Sequence, residues 1–149
     1  MKNSEILDST QPIYSIGSAA RLLTISVHTI RMYEKAGLII PHKVEGKNRL
    51  YSELDIERLR CIRREINNKK YSISAIQRIL SFYPCWIEKQ CSDNERSQCS
   101  AYQNGTQPCW TYKHIDNICS DIDCYSCSVY RDVECDRIKE KIIKYTSKK

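Results

Sequence analysis

The spacing of apolar residues near the start of the chain predicts two short helices joined by a tight turn. From Ile16 to Leu23 the apolar positions recur at intervals of three and four residues, which is the period of one helix face. Ser26 is a good N-cap for a second helix that continues to Ala36, and Gly37 follows it where a left-handed residue commonly ends a helix. Two such helices in succession form a helix-turn-helix.

The pattern after the second helix predicts a β-hairpin and two more helices. The stretch "LIIPHKVEGKNRLY" holds two β-prone runs around a turn that contains glycine, which is typical of a wing. Ser52 and Asp55 have the spacing of a capping box and open a helix that extends to about Asn67. A fourth helix spans about 74–82. The predicted fold is therefore mainly α, with a winged helix-turn-helix over residues 13–83.

A cysteine-rich segment follows the fourth helix. Pro84 stops that helix, and seven of the nine cysteines lie between Cys85 and Cys127. This window has one glycine and few aliphatic residues, so we expect a small, loop-rich domain at 84–130 that is stapled by a metal or a cluster. The remainder, 131–149, predicts a short C-terminal helix and a basic tail. The apolar stripe of that helix consists of Val133, Ile138, Ile142 and Tyr145.

Charge is distributed unevenly between the two halves. Residues 1–84 hold fourteen Lys and Arg against eight Asp and Glu, a net charge of +6, whereas residues 85–149 hold ten of each. The basic excess of the first half favours an acidic partner such as nucleic acid, although a solvated basic face without a partner has the same composition. Charge alone leaves both interpretations open.

Composition and motifs exclude several classes of protein. With 41% hydrophobic and 28% charged residues the chain is globular rather than disordered. Its apolar runs are too short to cross a bilayer, and its first residues lack the apolar region of a signal peptide, so we expect a cytoplasmic protein with no membrane partner. Cys124 and Cys127 have the spacing of a redox pair, but they lack a thioredoxin-like context. The sequence also has no Ser/His/Asp set or phosphate-binding loop, which argues against an enzyme.

Three motifs of the first half carry a family resemblance. The stretches "TIRMYEKAGLIIP", "NRLYS" and "DIERL" are similar to those of the MerR family of bacterial transcription regulators. The form "TIRMYE", with Met32 where many members have a second tyrosine, is more similar to the heat-shock-repressor-like branch. The resemblance implies a homodimer that binds double-stranded promoter DNA, with RNA polymerase as a further partner. Members usually continue into a long coiled-coil dimer helix, which Pro84 blocks here, so the dimer geometry must differ.

The same resemblance implies which residues contact DNA. Residues of the recognition helix meet the DNA backbone and base edges, with His28 as the variable neighbour that reads bases, and residues of the wing grip phosphates. Tyr33 and Tyr51 could instead be core aromatics, and Arg31 could merely pair with Glu34. The implied set is His28, Thr29, Arg31, Tyr33, Lys47, Arg49 and Tyr51.

Three roles compete for the cysteines: a disulfide framework, a metal site and small core residues. A reducing cytoplasm and an odd total of nine count against the first role. A role as small core residues explains Cys61 on the third predicted helix, but it does not explain seven cysteines within 43 residues. We therefore predict metal or cluster ligands among Cys85, Cys91, Cys99, Cys109, Cys119, Cys124 and Cys127.

The spacing of the last three of these cysteines favours iron and sulfur. Cys119-x4-Cys124-x2-Cys127 has the spacing of three ligands in plant-type iron–sulfur proteins, which suggests a [2Fe-2S] or [4Fe-4S] cluster. Its fourth ligand would come from Cys135 or from one of the four earlier cysteines. Zinc is the alternative, and His114 is the one plausible imidazole ligand.

A second resemblance covers the cysteine-rich segment from Pro84 to Tyr130. The pattern "PCW…C…C-x-AY…PCW…C…C-x-x-C-x-VY" is similar to a Cys-Trp repeat module attached to sensory and signalling proteins of anaerobic bacteria. The resemblance implies a sensor domain. Its half-motifs suggest an imperfect duplication in which Trp86 and Trp110 shield the site from water. We expect a DNA-binding regulator that senses redox state or cluster integrity, with structural zinc, thiol oxidation or soft heavy-metal sensing as alternatives.

Overall fold

Four helices and a three-stranded antiparallel sheet form the first half of the chain. The computed structural model describes residues 8–43, 48–132 and 134–147. The helices are α1 (Ile16–Leu23), α2 (Val27–Lys35), α3 (Glu53–Asn68) and α4 (Ile73–Ser81). The strands are β1 (Tyr14–Ser15), β2 (His42–Lys43) and β3 (Arg49–Tyr51), with β3 in the middle of the sheet. This arrangement confirms the predicted winged helix-turn-helix.

Serine side chains cap the N-termini of all four helices. Each accepts a hydrogen bond from the backbone N–H three residues later, which satisfies a donor that the first helical turn leaves free. Asp55 completes the predicted capping box, because its carboxylate accepts a hydrogen bond from the Ser52 backbone N–H at 2.8 Å. Gly37, with φ of 72°, has the left-handed conformation expected after α2. The capping serines are Ser15, Ser26, Ser52 and Ser72.

The wing is a short hairpin of β2 and β3 in which His42 lies opposite Leu50. Its turn, residues 44–47, lies outside the described residues, and so does the predicted DNA contact Lys47. The sequence pattern did not predict β1, whose Tyr14 lies opposite Tyr51, because two residues are too few to show a period.

One hydrophobic core extends through both halves of the chain. Val129 of the cysteine-rich segment and Ile138 near the C-terminus are buried in the same cluster, and the half-buried Trp110 packs against it. The domain boundary predicted at Pro84 stays a prediction, since this packing is continuous across it. The fully buried centre of the cluster includes Ile30, Leu38, Ile56, Leu59 and Ile62.

Short helices and loops form the cysteine-rich segment, as predicted. The helices are α5 (Cys85–Glu88), α6 (Asp93–Gln98), α7 (Ser100–Asn104) and α8 (Ser128–Asp132), with 3₁₀ helices at Cys109–Thr111 and Cys124–Ser126. Within the described ranges the longest helix is α3, with 16 residues, and none is long and apolar enough to cross a membrane.

The C-terminal segment differs from the sequence interpretation in two respects. The predicted helix is present as α9 (Ile138–Thr146), shorter than the apolar pattern suggests, and Val133 lies outside the described residues. Cys61 is buried, as expected of a core residue, but the interpretation of a separate thiol is wrong because it forms a disulfide with Cys135. The bond joins α3 to the turn before α9. It also removes Cys135 from the candidate fourth ligands in this structure.

Candidate metal centre and nucleic-acid interface

A shallow groove between α2 and the wing carries the basic residues of the predicted DNA surface. Arg31 and Lys35 from α2 and Lys43 and Arg49 from the wing strands line the groove, and all four are exposed. Cations on a recognition helix and on an adjacent hairpin can meet phosphates on either side of the major groove. Four of the fourteen basic residues of this half therefore line the groove that is predicted to face DNA.

Two other predicted contacts lie on the first turn of α2. His28 is exposed, as a residue that reads bases must be. Thr29 is half-buried, and its hydroxyl lies 2.8 Å from the hydroxyl of the capping residue Ser26. Thr29 therefore supports the start of the recognition helix and leaves His28 as the more accessible of the two.

Glu34 joins the wing to α2. Its carboxylate, with a side chain only 7% exposed, accepts hydrogen bonds from Arg49 Nη1 at 2.5 Å and from the Tyr51 hydroxyl. Burial, together with the Glu34 hydrogen bond, raises the pKa of Tyr51 and keeps the phenol a neutral donor. Tyr51 and Tyr33 are 0% and 2% exposed, which favours the core interpretation of both tyrosines. Arg49, rather than Arg31, is the ion-pair partner of Glu34 among the described residues.

Seven free thiols converge on one cavity of about 40 Å³. Trp86 and Trp110 line the same cavity, as their predicted shielding role requires. The fold thus brings together every cysteine that the sequence predicted as a ligand. The thiols are those of Cys85, Cys91, Cys99, Cys109, Cys119, Cys124 and Cys127.

The two half-motifs of this segment have matching environments. In the first, the Trp86 ring packs edge-on against Tyr102, with centroids 5.3 Å apart and planes at 84°. In the second, Trp110 packs edge-on against Tyr130 at 5.1 Å and 80°. The tyrosines end the related stretches "CSAY" and "CSVY". This agreement supports the duplication and equates the cysteine pairs Cys85/Cys109, Cys91/Cys119 and Cys99/Cys127, with Cys124 additional.

The first cysteines of the two repeats are hydrogen-bonded through their thiols. The bond from Cys109 lowers the pKa of Cys85, and the same bond, with burial, raises the pKa of Cys109. Burial raises the pKa of Cys119 to about 12 and also raises the pKa values of Cys91 and Cys124. The four thiols with a raised pKa are therefore neutral near pH 7, and a cation that binds them must displace their protons. They are those of Cys91, Cys109, Cys119 and Cys124.

This pKa difference predicts an order of alkylation in the metal-free protein. A lowered pKa gives Cys85 a thiolate at lower pH, whereas a pKa of about 12 keeps Cys119 protonated, so iodoacetamide should modify Cys85 first at neutral pH. Cys109→Ala removes the hydrogen bond that lowers the pKa of Cys85, so it should slow the modification of Cys85 at neutral pH. Cys109→Ser keeps a donor and is the control. Peptide mass spectrometry that finds equal Cys85 rates in all three proteins would contradict this assignment.

Two polar side chains accompany the thiols. His114 Nε2 lies 3.0 Å from the Cys109 carbonyl oxygen, and its Nδ1 lies 4.0 Å from Cys99 Sγ. Lys89 donates a hydrogen bond to the Ser128 hydroxyl at 3.3 Å and also lines the cavity. Although burial opposes it, the charge and the hydrogen bond of the Cys127 sulfur raise the pKa of Lys89, so an ammonium group faces the sulfur atoms.

The second repeat packs against the segment that connects α2 to the wing. Trp110 Nε1 donates a hydrogen bond to the Gly37 carbonyl at 2.7 Å, and the Ile40 backbone N–H donates one to the Tyr130 hydroxyl at 2.8 Å. The Arg58 guanidinium of α3 lies 4.0 Å from the centroid of the Tyr130 ring. The wall of the thiol cavity is therefore also a wall of the DNA-binding unit.

Tyr125, within the Cys124-x-x-Cys127 motif, makes a second contact with that unit. Its hydroxyl donates to Asp55 Oδ2 at 2.9 Å, and its ring centroid lies 5.1 Å from that of His42 in β2. Asp55 is 1% exposed, and Arg131 approaches its Oδ1, which has no hydrogen-bond partner among the described residues, to 3.7 Å. The segment that carries two candidate ligands thus also holds the start of α3 and the wing.

Sequence reasoning did not identify this interface. The contacts join residues up to 90 positions apart, and no local period reveals such pairs. The available signal was the run "CYSCSVYR", where two tyrosines and an arginine interleave with cysteines.

A substitution at Gly37 can measure how tightly the segment after α2 packs against Thr111 of the cysteine-rich segment. A Cβ atom at this position would overlap the Thr111 side chain, and the backbone is left-handed. We expect Gly37→Ala to lower the free energy of unfolding by about 3 kcal/mol, of which about 1–2 kcal/mol is the backbone term. Gly105→Ala isolates that term, because Gly105 has a φ of 55° and open space around it. Equal losses in urea denaturation would show that the approach of Thr111 is not tight.

Comparison with known proteins places the first half of the chain in a family. Residues 14–82 match the model for MerR HTH family regulatory proteins. The heat shock protein HspR of Streptomyces coelicolor is 33% identical over 79 residues, which cover 53% of this chain and 52% of HspR. The transcriptional regulator ZntR of Escherichia coli is 38% identical over 71 residues, which cover 46% of this chain and 49% of ZntR. The chain thus spans about half the length of these two relatives.

A third similarity extends further along the chain. The uncharacterised HTH-type transcriptional regulator YyaN of Bacillus subtilis is 32% identical over 109 residues, which cover 71% of this chain and 75% of YyaN. No solved structure matches the chain significantly. The family model and the named regulators describe a non-enzymatic class that acts on transcription. The chain belongs to the MerR family of helix-turn-helix transcriptional regulators.

Proposed function

We propose that this MerR-family regulator binds an iron–sulfur cluster in its cysteine-rich half and senses redox state or cluster integrity in the cytoplasm. The observation that carries the proposal is the convergence of seven free thiols and two tryptophans on one cavity, whose wall packs against the DNA-binding unit. The cluster, when bound, would supply a centre that can be oxidised, reduced or lost.

The DNA side of the proposal rests on the groove between α2 and the wing. Arg31 and Arg49, which are exposed in this groove, are assigned to phosphates, and His28, which is exposed on the first turn of α2, is assigned to base edges. We assign Tyr33 and Tyr51 to support of the helix and wing because they are buried. A homodimer on promoter DNA, with RNA polymerase beside it, is the expected assembly.

The donor set fits a polynuclear cluster better than one zinc ion. A tetrahedral zinc with bonds of about 2.3 Å holds its sulfur ligands about 3.8 Å apart. Among the described residues no three of the seven cavity sulfurs lie within 4.8 Å of one another. Wider spacing suits a cluster, whose thiolates are distributed over more than one iron. Cys119, Cys124 and Cys127, with a fourth thiolate from the earlier cysteines, are the proposed ligands.

The coupling step follows from the position of Tyr125. It lies between two proposed ligands and donates to Asp55 in the capping box of α3, beside the wing. Release of Cys124 and Cys127 would free this segment and weaken its hold on Asp55 and His42. The wing would then meet DNA in a different orientation, and the bend or twist of the promoter would change.

The test is anaerobic isolation followed by an absorption spectrum and assays of iron, sulfide and zinc. Matching iron and sulfide with a broad visible band is the expected result, and Cys124→Ser should lower both contents whereas Cys61→Ser should not. DNase footprints of intact and stripped protein should then differ. A colourless protein with stoichiometric zinc would overturn the iron–sulfur assignment, and identical footprints would overturn the sensing step.

A further inference from the structure

We infer that His114 is a nitrogen ligand of the metal centre, so that the site has mixed sulfur and nitrogen coordination. The inference rests on the proposed metal centre and puts His114, a residue outside the seven thiols, in place of one thiolate of the proposed ligand set. Of the three histidines, His28 lies on the outer face of α2 and His42 packs against Tyr125. Among the three histidines, all of which lie in the described residues, His114 is the one that lines the thiol cavity, and it is half-buried.

The hydrogen bonds of His114 fix which ring nitrogen is available. Nε2 lies 3.0 Å from the Cys109 carbonyl oxygen, which can only accept, so Nε2 carries the proton. In the neutral ring Nδ1 then holds the lone pair, and it faces Cys99 Sγ at 4.0 Å. Histidine ligands of metals commonly have this arrangement, with one nitrogen on a backbone carbonyl and the other on the metal.

The distance to Cys99 fits a shared metal atom. Bonds of about 2.3 Å to sulfur and about 2.0 Å to nitrogen, at a tetrahedral angle, place the two ligand atoms about 3.5 Å apart. The observed separation of Cys99 Sγ and His114 Nδ1 is 4.0 Å, which a small side-chain rotation would close. Asn117 Nδ2, at 3.5 Å from Nδ1, is a long contact that a metal atom can replace.

The duplication supplies a matched comparison. His114 lies five residues after Cys109, and Gln90 lies five residues after Cys85, within the related stretches "CWTYKH" and "CWIEKQ". Gln90 is exposed and does not line the cavity. At this position the second repeat therefore has an imidazole that lines the cavity, whereas the first repeat has an exposed amide. His114→Gln gives the second repeat the residue of the first.

A neutral imidazole in place of a thiolate also changes the charge of the site. Replacing one thiolate by imidazole removes one negative charge, and imidazole ligands raise the reduction potential of iron–sulfur centres. His114→Cys should therefore keep a full ligand set but lower the reduction potential. His114→Gln should lose metal more rapidly, because an amide is a poor ligand for iron or zinc.

The experiment uses the full chain, isolated without oxygen and labelled with ¹⁵N-histidine. Pulsed EPR of the reduced cluster should show one strongly coupled nitrogen that is absent from His114→Gln and His114→Cys and retained in Gln90→Ala. A cluster with no coupled nitrogen would overturn the inference and leave the iron–sulfur proposal intact. If the protein holds zinc, the iron–sulfur proposal fails, and X-ray absorption still decides: one nitrogen neighbour supports His114, and four sulfurs overturn it. Protein that binds neither metal overturns both.

Discussion

Loss of the Cys61–Cys135 bond should lower the free energy of unfolding by about 4 kcal/mol. The bond closes a loop between residues 74 positions apart, and in the chain-entropy model a loop of that length has about this effect near 25 °C. It ties α3 to the turn before α9, whose Ile138 is buried in the core. Without the bond, α9 is held by the apolar contacts of Ile138, Ile142 and Tyr145 and by the ion pair of Asp136, in the turn before it, with Arg64. Urea denaturation of metal-free wild type and Cys61→Ala/Cys135→Ala measures the difference.

A thiol reductant provides the control for this prediction. In reductant the wild type also lacks the bond, so the two proteins should agree to within about 1 kcal/mol, the effect of the small buried side-chain change. Cys91→Ala in the oxidised protein should leave the stability close to that of wild type, since Cys91 is a half-buried free thiol. If the difference of about 4 kcal/mol in the free energy of unfolding persists in reductant, the effect comes from packing rather than from the disulfide.

The winged helix was predictable because its signals are local. Each helix starts at a serine whose side chain bonds three residues ahead, and such caps depend on adjacent sequence alone. Gly37 has the left-handed backbone that its place after α2 suggested. The two-residue strand β1 was missed, since its pairing with β3 is set by tertiary structure.

The cysteine-rich half was predictable in composition but not in contacts. Cysteine density and the PCW repeats identified the seven thiols that share the cavity. The Cys61–Cys135 pair joins positions with no common motif, so no spacing rule could reveal it. Tyr51 shows the same limit, because an aromatic residue with a hydroxyl suits a phosphate or a buried carboxylate, and only the fold supplied Glu34.

The interface between the halves limits how a signal can travel. Tyr125 contacts Asp55 and His42, whereas Trp110 and Tyr130 contact the segment before the wing. These contacts reach the wing, the start of α3 and, through Gly37, the end of α2, and α2 is also tied to the wing through Glu34. A change in the cysteine-rich half would therefore act on the wing and on the C-terminal end of the recognition helix together.

Arg49→Ala should weaken binding to duplex DNA about 100-fold, or about 2.7 kcal/mol. The substitution removes a proposed phosphate contact and also exposes the negative charge of Glu34, which Arg49 neutralises at 2.5 Å. Lys43→Ala is the matched control, because Lys43 lines the same groove and forms no ion pair with the described residues. Its loss should be about tenfold, with a salt dependence reduced by about one phosphate contact.

A second substitution separates the two effects of Arg49→Ala. Adding Glu34→Gln removes the exposed charge without restoring the phosphate contact, so the double variant should recover about tenfold in affinity and match Lys43→Ala. Fluorescence anisotropy with a duplex selected by the wild type from random sequence, at two salt concentrations, measures all four proteins. If Glu34→Gln gives no recovery, Glu34 does not face the DNA. If Arg49→Ala binds as tightly as wild type, the wing does not grip phosphate through this residue, and DNA recognition would depend on Arg31 and His28 of α2.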